Sequence, residues 1–221
     1  FLLIRNRKYL AIQRETMSAD IIVFAKAAES GNVKTRIAAT VGDDKATEVY
    51  IELLNKAVWN AVEAAKQAGC LASIYFDGPR DHPEFERLAS LYPSLNFHPQ
   101  VSGDLGQRMY SALEHSLESH DVALIIGADC PALNPAIIQQ ALTAARPPKQ
   151  FCFVPAADGG YVLIASCKPD RVVFSGIEWG SDSVMASTAR QLDANQISWS
   201  TMEPLADVDT WADYQSQKEL L

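Results

Sequence analysis

Residues 121–131 read D-V-A-L-I-I-G-A-D-C-P and decide the fold of this chain. The apolar run V-A-L-I-I is too short for a helix and rich in β-branched residues, which predicts a strand buried on both faces. Pro131 prevents further sheet pairing, so the strand has to end before it. Asp129 therefore lies just past the carboxyl end of that strand. Ligands bind at this edge of open α/β sheets, and a carboxylate there suits a hard divalent cation. The alternative is that Asp129 caps a helix beginning near Asn134.

Strand and helix patterns alternate along the chain on both sides of this strand. Short apolar, β-branched runs predict the strands, and apolar residues at helical spacing predict the helices. The predicted strands are residues 21–24, 71–76, 95–98, 122–126, 151–155, 162–165 and 197–202. The predicted helices are residues 43–69, 83–91, 134–145 and 182–192, one helix after the loop 100–109, and a terminal helix that starts at residues 209–210. This alternation predicts an α/β fold with a mostly parallel sheet.

Length, charge and cysteine content restrict the possible functions. The 221 residues suffice for one α/β domain, and no Pro-, Gly- or Ser-rich segment indicates a linker. We expect residues 17–221 to form this domain, and the apolar and basic residues 1–16 to lie outside it. A net charge of −8 argues against nucleic acid or an anionic membrane as a partner.

The four cysteines and the hydropathy of the chain indicate a compartment. The cysteines form no C-x-x-C pair and lie mostly in apolar runs, so neither a zinc site nor a disulfide framework is expected. Reduced thiols predict a cytoplasmic protein. No apolar stretch is long enough to predict a membrane span.

Three cations and a glycine follow the first predicted strand. Lys26, Lys34 and Arg36 lie in the loop 25–36 against a single acid. Gly31 permits close approach of the backbone to a ligand, and the cationic groups are suited to neutralise a diphosphate. The alternative is a solvated surface loop.

A second loop, residues 100–109, reads Q-V-S-G-D-L-G-Q-R-M and leads into a helix. Junctions between a loop and a helix present free backbone N–H groups that suit anions and nucleobase carbonyls. Arg108 either points back into such a site or lies on the surface of the first helical turn.

The segment 156–161, A-A-D-G-G-Y, separates two predicted strands. Asp-Gly between apolar runs is a strong hairpin signal, so one interpretation is that Asp158 and Gly159 only form a turn. A carboxylate, two glycines and Tyr161 also suit an acceptor pocket, in which Asp158 serves as general base or hydrogen-bonding anchor. Trp179 either stacks on a ligand ring or is buried in the core.

Two acids precede the terminal helix. Asp207 and Asp209 alternate with Val208, so their side chains share one face in extended backbone. Because Asp209 and Thr210 start the helix, capping is an alternative role for both acids.

Five motifs follow one another in a fixed order. They are F-A-K-A-A-E-S-G-N-V-K-T-R, G-D-L-G-Q-R-M, I-G-A-D-C-P, P-A-A-D-G-G-Y, and F-S-G-I-E-W-G-S followed by L-A-D-V-D-T. Together they resemble the small bacterial glycosyltransferase-like family often found beside radical-SAM proteins, some members of which are associated with arsenosugar synthesis. The chain departs from the usual pattern of this family at Ala28, where Pro is common, and at Ser181, where Thr is common. More distantly it resembles the guanylyltransferases for 2-phospholactate and the molybdenum cofactor.

This resemblance implies a fold and a set of site residues. The implied fold is the three-layer α/β/α GT-A, or nucleotide-diphospho-sugar transferase, fold with a mostly parallel, Rossmann-like sheet. The implied nucleotide-binding residues are Lys26, Gly31, Lys34 and Arg36 at the phosphates, with Gly103, Asp104, Gly106 and Arg108. The implied metal ligands, for Mg²⁺ or Mn²⁺, are Asp129 and Asp209, the acid next to Thr. On the acceptor side we expect Asp158 as the catalytic residue and Gly159, Gly160, Tyr161 and Trp179 as contacts.

The implied function is a metal-dependent glycosyltransferase that moves a sugar from a nucleotide-sugar to a small-molecule acceptor. The alternative is a nucleotidylyltransferase, guanylyltransferase-like, that releases pyrophosphate from a nucleoside triphosphate. A second alternative is a non-catalytic nucleotide-binding module.

Overall fold

The computed structural model describes residues 18–221, which form seven strands, seven α-helices and two 3₁₀ helices. The strands are β1 (Ala19–Lys26), β2 (Leu71–Asp77), β3 (Asn96–Pro99), β4 (Val122–Ile126), β5 (Phe151–Pro155), β6 (Tyr161–Ser166) and β7 (Trp199–Thr201). The α-helices are α1 (Thr35–Val41), α2 (Asp43–Ala68), α3 (Pro83–Leu91), α4 (Leu105–Leu117), α5 (Pro135–Ala144), α6 (Val184–Ala194) and α7 (Trp211–Gln217). The 3₁₀ helices are Arg171–Phe174 and Lys218–Leu220. The predicted extension, residues 1–16, lies outside the described residues.

All seven strands belong to one sheet with the order β3-β2-β1-β4-β6-β5-β7. Strands β1 to β4 are mutually parallel, and β7 runs parallel to β5. Only β6 is antiparallel to both of its neighbours in the described sheet. The predicted α/β fold with a mostly parallel sheet is therefore confirmed. The chain leaves β1 towards β2 and β3 and later returns to the other side of β1 as β4, which makes the β1–β4 edge the switch point where ligands bind in such sheets.

Every residue of β4 is buried, as the apolar run predicted. Val122, Leu124 and Ile126 belong to the core cluster that α2, α3 and α5 cover. Ala123 and Ile125 belong to the cluster on the other face, which is covered by α4 and α6. This alternation gives the three layers, helices on sheet on helices. None of the helices in residues 18–221 is long and apolar enough to cross a bilayer.

The expected loop at residues 25–36 is shorter than predicted at both ends. Strand β1 continues to Lys26, and helix α1, which was not predicted, begins at Thr35. Helix α1 has one buried residue, Ile37, so its sequence shows no helical period of apolar residues. Its position depends on packing against α2 and α7, which sequence periodicity does not report.

The observed helix caps show whether Asp129 and Asp209 have the capping roles that the sequence left open. The Asn134 side chain accepts the N–H of Ile137 and caps α5, so the suggestion that Asp129 caps this helix is wrong. Thr210 caps α7 in a reciprocal pair with Asp213. The carboxylates of Asp129 and Asp209 are therefore left for other contacts.

We expect the Asn134→Ala variant to lose about 1 kcal/mol of unfolding free energy, because the first turn of α5 loses its side-chain acceptor. Urea unfolding followed by circular dichroism measures this. The matched control is Thr143→Ala near the other end of the same helix, where the exposed hydroxyl bonds only to the Gln139 carbonyl. Equal losses in both variants would contradict a specific cap at Asn134.

Candidate active site

A cavity of about 580 Å³ opens at the carboxyl ends of β1 and β4. The loop after β1 and the start of α1 contribute residues 32–36, and residues 127–129 follow β4. The β5–β6 turn and the loop that carries Trp179 form the opposite wall. The cavity therefore lies at the switch point of the sheet, where loops from non-consecutive strands converge.

Three carboxylates meet at the edge of this cavity. Asp129 follows β4, whereas Asp207 and Asp209 lie on the segment before α7. The backbone N–H of Val208 donates to the Asp129 carbonyl at 2.8 Å, and the buried Val208 side chain anchors the segment against α1, α2 and α7. One oxygen from each of the three carboxylates lies within 4.8 Å of the other two. The structure thus brings Asp129 and Asp209 together and adds Asp207, which the resemblance did not imply as a metal ligand.

The electrostatics of this group favour a positive partner. Burial first, and then the negative charges of Asp129 and Asp158, raise the pKa of Asp207 to about 6. Clustered carboxylates repel one another, and a nearby cation relieves that repulsion. Hard carboxylate oxygens are the ligands that Mg²⁺ and Mn²⁺ prefer.

Lys34 reaches the same carboxylates. Its Nζ lies 3.2 Å from Asp129 Oδ2 and 3.5 Å from Asp209 Oδ1, and it donates to the Val208 carbonyl at 2.6 Å. The side chain is only 10% exposed. Lys34, which the sequence predicted to contact phosphate, is therefore an ion-pair partner of both predicted metal ligands in this structure.

The other predicted residues of the first loop have different surroundings. Arg36 Nη1 donates to Asp209 Oδ2 at 3.1 Å from a side chain that is 71% exposed. Lys26 lines the cavity, and its main chain is bonded through both N–H and carbonyl to the hydroxyl of Tyr50. Gly31 does not line the cavity but turns the backbone at a φ of 84°. Lys26, Lys34 and Arg36 therefore surround the cavity, and Gly31 shapes the loop behind them.

The second predicted loop contributes mainly through Arg108. This residue lines the cavity, donates to Asp77 Oδ2 at 2.8 Å and to the Gly103 carbonyl at 3.0 Å. The sequence left two alternatives for Arg108, and the observed one is that its side chain faces the site. Asp104 caps α4 in a reciprocal pair with Gln107, and neither Asp104 nor Gly103 lines the cavity. Their observed contacts hold the helix that presents Arg108.

Gly106 shapes the cavity wall by letting Trp179 pack against it. A Cβ built on Gly106 would lie 2.6 Å from the Trp179 ring. The absence of a side chain at this position lets the indole pack directly on the first turn of α4. Trp179 lines the cavity in edge-to-face contact with Tyr161, at 6.5 Å between ring centroids. Its Nε1 is buried without a hydrogen-bond partner among the described residues. Trp179 is thus a partly buried side chain of the cavity wall, and its stacking on a ligand ring stays a prediction.

The predicted acceptor residues follow the β5–β6 turn. Strands β5 and β6 pair antiparallel, which confirms the hairpin. Asp158 Oδ1 accepts the N–H of Gly160 at 3.0 Å, and Asp158, Gly160 and Tyr161 all line the cavity. Gly159 does not line the cavity, because it is pressed against the backbone of Asp182. Asp158 is thus both a turn residue and a cavity residue.

Three residues near the cavity were not singled out from the sequence. Tyr50 lies within the predicted helix 43–69, and its hydroxyl fixes the main chain of Lys26. Gln100 lines the cavity, donates to the Tyr75 carbonyl, and accepts from Arg108. Asp77 ends β2 and pairs with Arg108. The position of Asp77 at a strand end was a usable signal, since Asp129 was found by the same criterion.

Comparison with known proteins gives a family and a set of folds. The bacterial family described as "Uncharacterized protein conserved in bacteria (DUF2064)" matches residues 60–181, more than half of the chain. The matched range includes Arg108, Asp129, Asp158 and Trp179. No curated protein matches the chain.

Solved structures match over nearly the whole chain. A "putative nucleotide-diphospho-sugar transferase" from Desulfovibrio desulfuricans G20 is 26% identical with a TM-score of 0.77, covering 91% of this chain and 96% of its own. CMP:2-keto-3-deoxy-manno-octonic acid synthetase, solved with CTP, is 15% identical with a TM-score of 0.57, over 92% and 98%. The 4-diphosphocytidyl-2C-methyl-D-erythritol synthase from Anaerococcus prevotii DSM 20548 is 10% identical with a TM-score of 0.57, over 93% and 96%. The two synthetases share the fold with this chain.

Proposed function

The chain belongs to the bacterial DUF2064 family and has the nucleotide-diphospho-sugar transferase fold, and from its site we propose that it is a metal-dependent glycosyltransferase acting on a nucleotide-sugar. The observation that carries this proposal is the meeting of Asp129, Asp207 and Asp209 beside a cavity lined by cationic side chains. The catalytic unit is proposed to be one domain, residues 17–221.

The residues at the edge of the cavity fit a divalent cation. Asp129, Asp207 and Asp209 offer hard oxygen ligands close to one another, and the ammonium of Lys34 already lies against two of them as a positive group. Mg²⁺ or Mn²⁺ held by these carboxylates would stabilise the negative charge that develops on the departing phosphate groups.

The cationic side chains are placed to bind a diphosphate. Lys26, Lys34, Arg36 and Arg108 line one cavity. Three of them pair with acids: Lys34 with Asp129 and Asp209, Arg36 with Asp209, and Arg108 with Asp77. Charge-assisted hydrogen bonds from Lys and Arg to phosphate are among the strong ones in proteins. These residues therefore hold the nucleotide's phosphates, with Gln100 beside Arg108.

Asp158 is assigned to the acceptor. One of its oxygens is engaged by Gly160, which orients the carboxylate towards the cavity. Asp158 takes the proton of the acceptor hydroxyl while that oxygen bonds to the anomeric carbon. The bond from the anomeric carbon to the diphosphate breaks, and the nucleoside diphosphate leaves with the electron pair. Gly160, Tyr161 and Trp179 form the wall that positions the acceptor and restricts water.

The Asp158→Asn variant is expected to lower kcat by about 10²-fold, because a positioned general base contributes on this order. The amide oxygen can still accept the N–H of Gly160, so the turn and the unfolding free energy should be preserved. Steady-state kinetics with saturating donor, together with thermal unfolding, test both expectations. An unaltered kcat would show that Asp158 stabilises the turn and is not the general base.

Product analysis tests the function itself. The protein is incubated with Mn²⁺ and, separately, with UDP-, GDP- and dTDP-sugars and with the four nucleoside triphosphates, and phosphorus NMR follows the products. Release of a nucleoside diphosphate from one sugar donor, abolished by EDTA, is the expected result. Pyrophosphate released from a triphosphate would overturn this proposal in favour of nucleotidyl transfer. Tight nucleotide binding with no turnover of any donor would overturn it in favour of a binding module.

A further inference from the structure

The ammonium group of Lys34 makes two hydrogen bonds and one further ion-pair contact inside the acidic group. A lysine carries three donors. In this structure the ammonium donates to Asp129 Oδ2 at 3.2 Å and to the Val208 carbonyl at 2.6 Å, and it lies 3.5 Å from Asp209 Oδ1. With 10% exposure the side chain is largely shielded from solvent. Lys34 is therefore bound to the acids in this structure and does not present its ammonium to the cavity as a free cation.

The backbone at Lys34 shows that this position is held by its contacts. Lys34 has a left-handed conformation, with φ 47° and ψ 48°, immediately before α1. Such a conformation costs a residue with a side chain roughly 1–2 kcal/mol, and it persists where surrounding contacts offset that cost. The Lys34 carbonyl accepts the N–H of Ala38 at 2.9 Å, and the side chain makes no capping bond to α1, so its contacts to the acids add to what holds this backbone conformation.

Lys34 and a divalent cation would occupy the same carboxylates. Asp129 and Asp209 each belong both to the proposed metal ligands and to the ion pairs of Lys34. Two cations held within a few Å of each other in a partly buried site repel strongly. Lys34 must leave these carboxylates before the ion is bound, and the anion that it can reach next is one in the cavity that it also lines.

We propose that Lys34 is a tethered counter-ion that keeps the metal site closed until a phosphate-bearing ligand accepts its ammonium. The inference rests on the proposed function and specifies its order of binding. A metal ion that binds alone displaces the Lys34 ammonium from the carboxylates, but it provides no new anion for the ammonium to pair with. Metal together with a diphosphate displaces Lys34 and pairs it, so each of the two ligands increases the affinity for the other.

The first test measures Mn²⁺ affinity of the apo protein by calorimetry. The Lys34→Met variant, which removes the competing cation, is expected to bind Mn²⁺ about 10-fold more tightly than the wild type or better, within the usual range of coupling between sites. The matched control is Lys26→Met, which removes one charge from the same cavity without vacating the acids. Its Mn²⁺ affinity should change less than about threefold.

The second test uses the wild-type chain and does not depend on the folding of a variant. Lysines are acetylated briefly with an N-hydroxysuccinimide ester, and the modification of Lys34 is quantified by peptide mass spectrometry. Lys34 should be protected in the apo protein, at least fivefold more reactive with saturating Mn²⁺ alone, and protected again with Mn²⁺ and inorganic pyrophosphate. The acetylation of exposed Lys66 should stay constant.

The outcomes separate this inference from the proposed function. Equal Mn²⁺ affinity of wild type and Lys34→Met, or an equal gain in Lys26→Met, overturns the counter-ion role, and so does unchanged reactivity of Lys34 in all three states. If donor turnover still requires Mn²⁺ in that case, the proposed function stands. Absence of Mn²⁺ binding by any variant, with turnover that is insensitive to EDTA, overturns both.

Discussion

The Asp129→Asn variant is expected to lose about 10³-fold in kcat/KM with the productive donor, since metal-assisted stabilisation contributes several kcal/mol and each 1.36 kcal/mol is a factor of ten. Asp129 is central to the acidic group because it lies at the end of β4, it pairs with Lys34, and its carbonyl receives the N–H of Val208. The substitution removes the charge and leaves the backbone contact in place. The fold should therefore survive while metal-dependent binding is lost.

Kinetics at increasing Mn²⁺ measure this effect, and calorimetry with the donor measures the accompanying loss of binding. The control is Asp121→Asn at the opposite end of β4, an exposed acid that bonds to Ser18 and lies away from the cavity. It should keep wild-type turnover. If Asp129→Asn retains more than about a tenth of the activity at saturating Mn²⁺, Asp129 is not a required ligand. Asp209→Asn should behave as Asp129→Asn does, and Asp207→Asn should lose less.

The largest expected effect on stability is that of Gly159→Ala, a loss of about 2–5 kcal/mol in unfolding free energy. Gly159 has a φ of 95°, which disfavours any side chain, and an added Cβ would lie 2.0 Å from the carbonyl oxygen of Asp182. The positive φ alone costs roughly 1–2 kcal/mol. Relief of the overlap requires backbone movement, which adds roughly 1–3 kcal/mol. The Gly159 carbonyl also accepts the N–H of Met185 at 2.8 Å, so this movement would disturb the first turn of α6.

Gly180→Ala is the matched control for this prediction. Gly180 also has a positive φ, 87°, but no atom lies within 4 Å of a Cβ built there. The Gly180→Ala variant should lose only the unfolding free energy that the positive φ costs, about 1–2 kcal/mol. Urea unfolding of both variants measures the difference. Equal losses would show that the contact between Gly159 and Asp182 relaxes without cost, and the turn that carries Asp158 would then be less rigid than the structure indicates.

Most of the fold was predictable because its elements carry local signals. Strand β4 is an apolar run, and α2 repeats apolar residues at helical spacing, so both were placed within one residue of their observed ends. Helix α1 lacked such a signal, since one buried residue, Ile37, does not define a face. The predicted last strand, residues 197–202, is reduced to β7 (Trp199–Thr201), because a short edge strand is defined by pairing with β5 more than by its own composition.

The candidate site was partly predictable for a related reason. A charged residue directly after a buried strand is placed at the ligand-binding edge by the geometry of parallel sheets, which sufficed for Asp129 and the β5–β6 turn with Asp158. The role of Asp207 could not be decided, because the alternation D-V-D allows either acid or both to face the site. The predicted nucleotide contacts at Gly103 and Asp104 depended on the resemblance, and the contacts observed there are with α4 itself.

The amino-acid sequence by itself determined the α/β alternation, the buried central strand, and the residue types that gather at its carboxyl end, because hydrophobic periodicity and strand-end position are local properties. Only the tertiary structure decided which of those residues meet. Lys34 and Asp129 are 95 residues apart, and Lys34 and Val208 are 174 residues apart, so no local pattern links them. Their contact exists because β1 and β4 are neighbours in the sheet and the segment before α7 returns to the same edge. Lys34, a predicted phosphate ligand, therefore forms ion pairs with Asp129 and Asp209 in this structure.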